Sequence, residues 1–142
     1  DLKPSNVLIT KSNKAMVIDY GISKGSTEKR KVREHTKMYC APEQLDAEQD
    51  LDKRTDIYSL GLLMHQMLCG SSPYTANSNE ELEDKVKYRK TKRMVDIYPA
   101  ISQEFQEIVD KATEKDPDFR YQTCGEFLDD INYLSNKSNI TL

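Results

Sequence analysis

The sequence has no tryptophan, only five glycines and five prolines in 142 residues, and no apolar run long enough to span a bilayer. Its most apolar window, Thr55 to Gly70, carries Asp56, His65 and Gln66 and falls short of the roughly 20 residues a membrane helix needs. Glycine and proline at this level exclude collagen-like and low-complexity chains. Cysteine is scarce as well. Cys40, Cys69 and Cys124 are scattered, without CxxC or Cys/His spacing, which excludes a disulfide framework and a zinc site and fits a reducing, cytoplasmic compartment. Neither sign of charge dominates: 21 basic against 24 acidic residues leave a net charge of -3, so nucleic acid and anionic membrane have no global electrostatic basis. No signal peptide or internal repeat is legible. The first residue is Asp1 and not Met, and a piece of a longer protein is expected.

What is present is a globular composition, 37% hydrophobic and 32% charged, consistent with one domain and a real core. The window Thr55–Gly70 is apolar on every side, which predicts a buried central helix near 56–69, capped by Thr55 and stopped by Gly70 and Pro73. His65 and Met64 inside it read as core packing. Upstream, Val7-Leu8-Ile9-Thr10 and Ala15-Met16-Val17-Ile18 flank the polar turn Lys11-Ser12-Asn13-Lys14 and read as a hairpin. Antiparallel pairing brings the clusters on either side of it, Asp1-Leu2-Lys3-Pro4-Ser5-Asn6 and Asp19-Tyr20-Gly21, to one end. Two carboxylates, an amide oxygen and an ammonium then stand together, an inventory for holding a hard cation beside a phosphate. The same residues also serve ordinary turn chemistry, in which Asp and Asn bond only the backbone.

The order and spacing go further. Asp-Leu-Lys-Pro-x-Asn, then Asp-Tyr-Gly beginning thirteen residues after Asn6, then Ala41-Pro42-Glu43, resemble the catalytic loop, DFG and APE motifs of protein kinases. Asp56-Ile57-Tyr58-Ser59-Leu60-Gly61 resembles the start of the kinase central helix, and Asp116-Pro117-Asp118-Phe119-Arg120 the late arginine motif. The resemblance implies a kinase-like α+β fold: a partial kinase domain at 1–134 made of the mostly helical C-terminal lobe with a small hairpin, the N-terminal lobe absent, and a disordered tail at 135–142. Within it, 1–6 is the catalytic loop, 19–43 the activation segment and 44–134 the helical scaffold.

By the same resemblance Asp1 takes the proton of the substrate hydroxyl, Lys3 neutralises the transferring phosphate, and Thr36 bonds Asp1 and Lys3. Asn6 and Asp19 hold Mg2+, while Ser5, Asn6, Leu8 and Asp19 line the ATP site, Leu8 under the adenine. Lys3 is the serine/threonine pattern, so the implied reaction is ATP-dependent phosphoryl transfer to Ser/Thr hydroxyls of a protein substrate. Tyr20 replaces the usual Phe and keeps a ring for packing. Ser23, Ser26 and Thr27 are candidate phosphosites among Lys24, Lys29, Arg30, Lys31 and Arg33, or else lie in a solvated loop. Val32 stands where many kinases have an activating threonine. His35 replaces a usual glycine and reads as a solvated loop residue.

The resemblance also implies that Asp56 bonds the catalytic-loop backbone, and that Glu43 and Arg120 meet as a buried bidentate pair. A helix from Asn79 turns Leu82 and Val86 inward, and its run Lys85–Arg93 is either a solvated face or a docking patch for an acidic partner. Ser102 caps a helix bearing Phe105, Ile108, Val109 and Ala112, and Thr123-Cys124-Gly125-Glu126 is a capping box for the last one. Two functions follow: the C-terminal lobe of an active Ser/Thr kinase, inactive as an isolated piece, or a pseudokinase or regulatory scaffold that keeps the fold without transfer.

Overall fold

A computed structural model describes residues 1–18, 34–46 and 48–137, with backbone only at 34–36. Two short strands, β1 (Val7–Ile9) and β2 (Ala15–Val17), pair antiparallel with Val7 opposite Val17, Leu8 opposite Met16 and Ile9 opposite Ala15. Asn13, at φ 57°, makes the reversal, a conformation asparagine tolerates well. Among the described residues five α-helices follow: α1 (Lys53–Cys69), α2 (Asn79–Tyr88), α3 (Met94–Ile97), α4 (Gln103–Ala112) and α5 (Cys124–Lys137).

Helix α1 is the post on which both halves of the core are built. One side of it, through Tyr58, Leu62 and Leu63, joins Tyr39, Cys40, Ala41, Tyr74, Leu82 and Val86, with Leu2 and Val7 packed against them. The other, through Ile57, meets Ile108, Ala112, Tyr121, Phe127 and Leu134, with Leu60 and Met64 alongside. The helix starts earlier than the sequence pattern indicates. Asp52, not Thr55, is its N-cap, accepting from Arg54 N at 2.7 Å, because Thr55 is buried and its hydroxyl donates to Glu43. Burial all round is also too strong a description, since Met67 is 73% exposed and Asp56 faces out. Gly70 closes the helix at φ 65°, as expected of a left-handed stop.

The cap of α4 follows the sequence, and that of α5 does so with one change. Ser78 and Ser102 accept from Glu81 N and Phe105 N and open α2 and α4. Thr123 accepts from Glu126 N at 3.1 Å, but the Glu126 carboxylate reaches back one residue further than a capping box, to Gln122 N at 2.9 Å. Helix α5 runs to Lys137, three residues beyond the expected boundary, where Ser135 bonds Ile131 O and Lys137 pairs with Glu104.

Helices α1 and α4 cross at Gly61. A Cβ there would lie 2.8 Å from Ala112 Cβ and 2.9 Å from Thr113 Cγ2, so the absence of a side chain permits the contact. Gly61→Ala should therefore destabilise by about 1–3 kcal/mol despite its better helix propensity, and Ala112→Gly should recover part of the loss; urea unfolding of the single and double variants checks both.

His65 is wholly buried, its Nε2 at 2.8 Å from Lys92 O and its Nδ1 without a hydrogen-bond partner among the described residues. Burial pulls its pKa below the ordinary value, outweighing the Lys92 carbonyl and the Asp110 charge. Above the ordinary histidine pKa the ring is neutral folded or unfolded; below it the unfolded chain takes the proton first, so stability should fall with falling pH. Urea midpoints across this range should show that loss in the parent sequence and less of it in His65→Gln.

Candidate active site

The first six residues form a turn closed on itself. Pro4 sits where a 3-10 turn has no use for its missing N–H, and Asn6 N returns to Lys3 O at 2.9 Å. Asn6 is 6% exposed, and its side-chain amide donates to Asp1 O at 2.9 Å and to Asp1 Oδ2 at 3.3 Å. Lys3 Nζ donates to the same Asp1 Oδ2 at 2.8 Å. One carboxylate oxygen of Asp1 is thus held twice. The other, Oδ1, is buried and has no hydrogen-bond partner among the described residues. A buried acceptor without a donor is costly, and it has the right chemistry for an incoming hydroxyl.

With its nitrogen committed to Asp1, Asn6 is oriented so that its carbonyl oxygen is the group left to offer outward, a hard ligand suited to Mg2+. The hairpin adds the second segment: Ile18 N donates to Asn6 O at 2.8 Å, bringing the end of β2 against the catalytic turn. Asp19, Tyr20, Ser23, Ser26, Thr27 and Val32 lie outside the described residues, as does the side chain of Thr36, whose backbone is in the 3-10 turn Glu34–Tyr39. Ser5 is exposed beside Asn6, and Leu8 is 52% exposed on β1, with Ile9 and Met16 open around it.

Glu43 and Arg120 meet as the resemblance implies. Arg120 Nη1 and Nη2 reach Glu43 Oε1 and Oε2 at 2.7 and 2.9 Å, with both side chains almost fully buried. The remaining donors go to backbone carbonyls: Nε to Glu114 O at 2.7 Å, Nη1 also to Arg54 O at 3.1 Å, and Nη2 also to Lys115 O at 2.9 Å. All five guanidinium N–H groups are used. Thr55 adds a hydroxyl to Glu43 Oε1 at 2.9 Å, and one turn on Ser59 donates to Tyr39 O at 2.7 Å. These two hydroxyls fasten the segment ending at Glu43 to α1. Polar residues four apart in an apolar helix were the signal for them in the sequence, and helix capping was the wrong use to infer.

Asp56 differs from its expected part. It is exposed in the first turn of α1, with no side-chain hydrogen bond to the catalytic turn among the described residues; there its charge complements the helix N-terminus. The basic run is also less available than its sequence implies. Lys85 pairs with Glu81, Arg89 with Asp84, Lys90 with Glu114 and Arg93 with Asp96, at 2.6 to 3.9 Å. Among the described residues no helix is long and apolar enough to cross a membrane.

The family model for the protein kinase domain matches residues 1–130, nearly all of the chain. The chain belongs to the protein kinase family. Among the proteins it is similar to, a probable serine/threonine-protein kinase of Clostridium perfringens is 32% identical over 146 residues, covering 100% of this chain and 21% of that protein. Serine/threonine-protein kinase PknB of Mycolicibacterium smegmatis is 34% identical over 143 residues, covering 92% and 22%. The twitchin kinase region from C. elegans superimposes with a TM-score of 0.76 at 27% identity, covering 91% of this chain and 23% of that one. The chain therefore spans about a fifth of the length of the curated relatives it matches.

Burial pushes the Glu43 carboxyl up, but the Arg120 hydrogen bonds and charge more than offset it and hold its pKa below the usual carboxylate range. Stability from the pair is present above the unfolded Glu pKa and lost as pH falls through the folded one. Glu43→Gln should cost about 3–5 kcal/mol, since it strands the buried guanidinium charge, and Arg120→Lys should also destabilise, since an ammonium keeps the charge but cannot copy the planar fork. Thermal unfolding at neutral pH checks the magnitude; at a pH where Glu43 is protonated folded and unfolded, the gap between wild type and Glu43→Gln should narrow.

Proposed function

We propose that in its full-length protein this chain supplies the catalytic turn and substrate-side lobe for transfer of the ATP γ-phosphoryl group to Ser/Thr hydroxyls of a protein. One observation carries the reading: Asp1 presents a buried Oδ1 without a partner among the described residues while Lys3 and Asn6 immobilise Oδ2. The substrate hydroxyl donates to that oxygen. As its oxygen bonds the γ-phosphorus and the bond to the ADP oxygen breaks, the proton passes to Asp1 and Lys3 lies beside the charge of the transferring group. Asn6, with Asp19, holds Mg2+, and Ser5 and Leu8 border the nucleotide. When bound, the metal offsets negative charge on the phosphate oxygens. Thr36 is assigned to steady Asp1 and Lys3, and Ser23, Ser26 and Thr27 to phospho-regulation of the segment before it.

The intact set Asp1, Lys3 and Asn6 favours an enzyme over a pseudokinase scaffold. An acidic partner at Lys85–Arg93 has less support, because four of those cations are matched by carboxylates of the chain itself. A cytoplasmic setting rests on three free cysteines, one of them buried. The 142 residues alone are expected to transfer negligibly, since positioning supplies most of the catalysis and the piece lacks the lobe that covers the nucleotide in the relatives' fold.

In the full-length protein, Asp1→Asn should lower kcat by about 10²- to 10⁴-fold with nucleotide affinity nearly unchanged, whereas Asp19→Asn should weaken Mg2+-ATP binding itself. Steady-state kinetics beside calorimetric nucleotide titration separate the two, and near-normal turnover in Asp1→Asn removes the assignment.

A further inference from the structure

Helix α2 ends at Tyr88, which leaves the carbonyls of its last turn without intrahelical partners. Lys85 O is taken by Arg89 N at 2.9 Å. Val86 O is taken by a side chain from far along the sequence: Lys115 Nζ donates to it at 2.6 Å. The same ammonium donates to Tyr58 OH and Tyr74 OH, both at 2.8 Å, so its three hydrogens serve three separate elements. Both phenol rings also face the charge, with centroids 5.3 and 5.2 Å away. No carboxylate lies within 4.0 Å of Lys115 among the described residues. The cation is therefore compensated by aromatic rings, hydroxyls and the negative end of α2, an arrangement that fixes geometry more than it adds stability.

What α2 does with that fixed position is visible at its other contacts. Glu83 pairs with Lys37 at 2.7 Å, and Leu82 and Val86 pack with Tyr39, Cys40 and Ala41. Lys37 and Tyr39 belong to the turn Glu34–Tyr39, which leads into Glu43. A cavity of about 330 Å³ opens between Met38 of that turn and Asn77, Asn79 and Leu82 at the start of α2. Its shape depends on where α2 stands.

We propose that Lys115 is a positioning residue for phosphoryl transfer: by capping α2 and bridging it to Tyr58 and Tyr74, its ammonium holds α2 against the Glu34–Tyr39 turn and so shapes the face that receives the protein substrate. The proposal rests on the kinase reading above for its link to substrate, and on the contacts alone for its effect on α2. Burial and the Arg120 charge bring the Lys115 pKa down to about 8, against a smaller raising effect of Glu114. The other titratable groups facing it are Cys40, Tyr58, Tyr74 and Lys90; burial pushes Cys40 and Tyr74 up to about 12 and holds Tyr58 well above its ordinary value. Raising the pH through about 8 thus removes the charge and one of the three donors from Lys115 while its partners stay neutral.

The test uses the full-length protein with casein as phospho-acceptor. Lys115→Met keeps an apolar stem and removes the charge. It should raise the casein KM about tenfold while leaving kcat and the ATP KM within about twofold. Amide hydrogen exchange should quicken in α2 and stay unchanged in α4 and α5. Tyr74→Phe, which deletes one acceptor and keeps the ring, should move both readouts the same way by less. In wild type the casein KM should rise as pH passes 8, and in Lys115→Met that rise should be absent. Unchanged α2 exchange in Lys115→Met overturns the inference. Faster α2 exchange with an unchanged casein KM overturns its link to substrate. Lack of transfer by the wild-type protein overturns the proposed function instead, and leaves α2 exchange to decide the placement of Lys115.

Discussion

A guanidinium taken out of water must find a partner for every N–H, and Arg120 does so by drawing five acceptors from three stretches of chain. Glu43 supplies two oxygens, and the carbonyls of Arg54, Glu114 and Lys115 supply the rest. Together they fix three pieces of the molecule: the end of the segment that carries Thr36, the first turn of α1, and the loop after α4. The Tyr58 ring, 4.8 Å from the guanidinium carbon, closes one face of the site. Buried charge of this kind stabilises little in itself, yet it penalises any arrangement in which one acceptor is out of place. The position of the segment ending at Glu43 is inherited from that requirement.

Helix α1 makes the requirement local. Thr55 and Ser59 project from it one turn apart, one to Glu43 and the other to Tyr39 O, so the segment lies along the helix and not merely against its end. Tyr58, between them, turns to the other cation, Lys115. The same helix passes Gly61 close beneath Ala112 and Thr113, which brings α4 and the loop carrying Lys115 and Arg120 within reach. The stretch ending at Glu43, α2 and the Asp1–Asn6 turn beside them are thus referenced to a single rod.

Local chemistry was legible in the sequence. The hairpin followed from two β-branched runs and a polar turn, and the opening of α4 from Ser102. Where two residues competed for one task, the pattern chose wrongly: Thr55 looked like the cap of α1, but a distant carboxylate claimed its hydroxyl and Asp52 took the position. Glu126 went to Gln122 N for a similarly small reason, one residue of backbone direction. The Glu43–Arg120 contact came from a resemblance of motifs, not from any period in the residues. Lys115 left no sequence signal at all, because a lysine before Asp-Pro reads as surface and its three acceptors come from three distant elements. The basic run read as either a solvated face or a docking patch, and one of the carboxylates that match it is remote: Glu114 is 24 positions from Lys90.

The saturation of Arg120 also bears on how the chain reaches this state. Its carboxylate partner lies 77 positions away, and closing so long a loop costs conformational entropy before any contact is made. Partial closure brings little return, since a guanidinium dried by Tyr58 but short of one or two acceptors is worse off than one left in water. The arrest point is therefore placed late: α1, α4 and the loop between α4 and α5 must already be assembled when Glu43 arrives. Such a step gives a steep, all-or-none barrier, and it makes the segment ending at Glu43 the last part to lock during folding and the first to detach when the lobe begins to open.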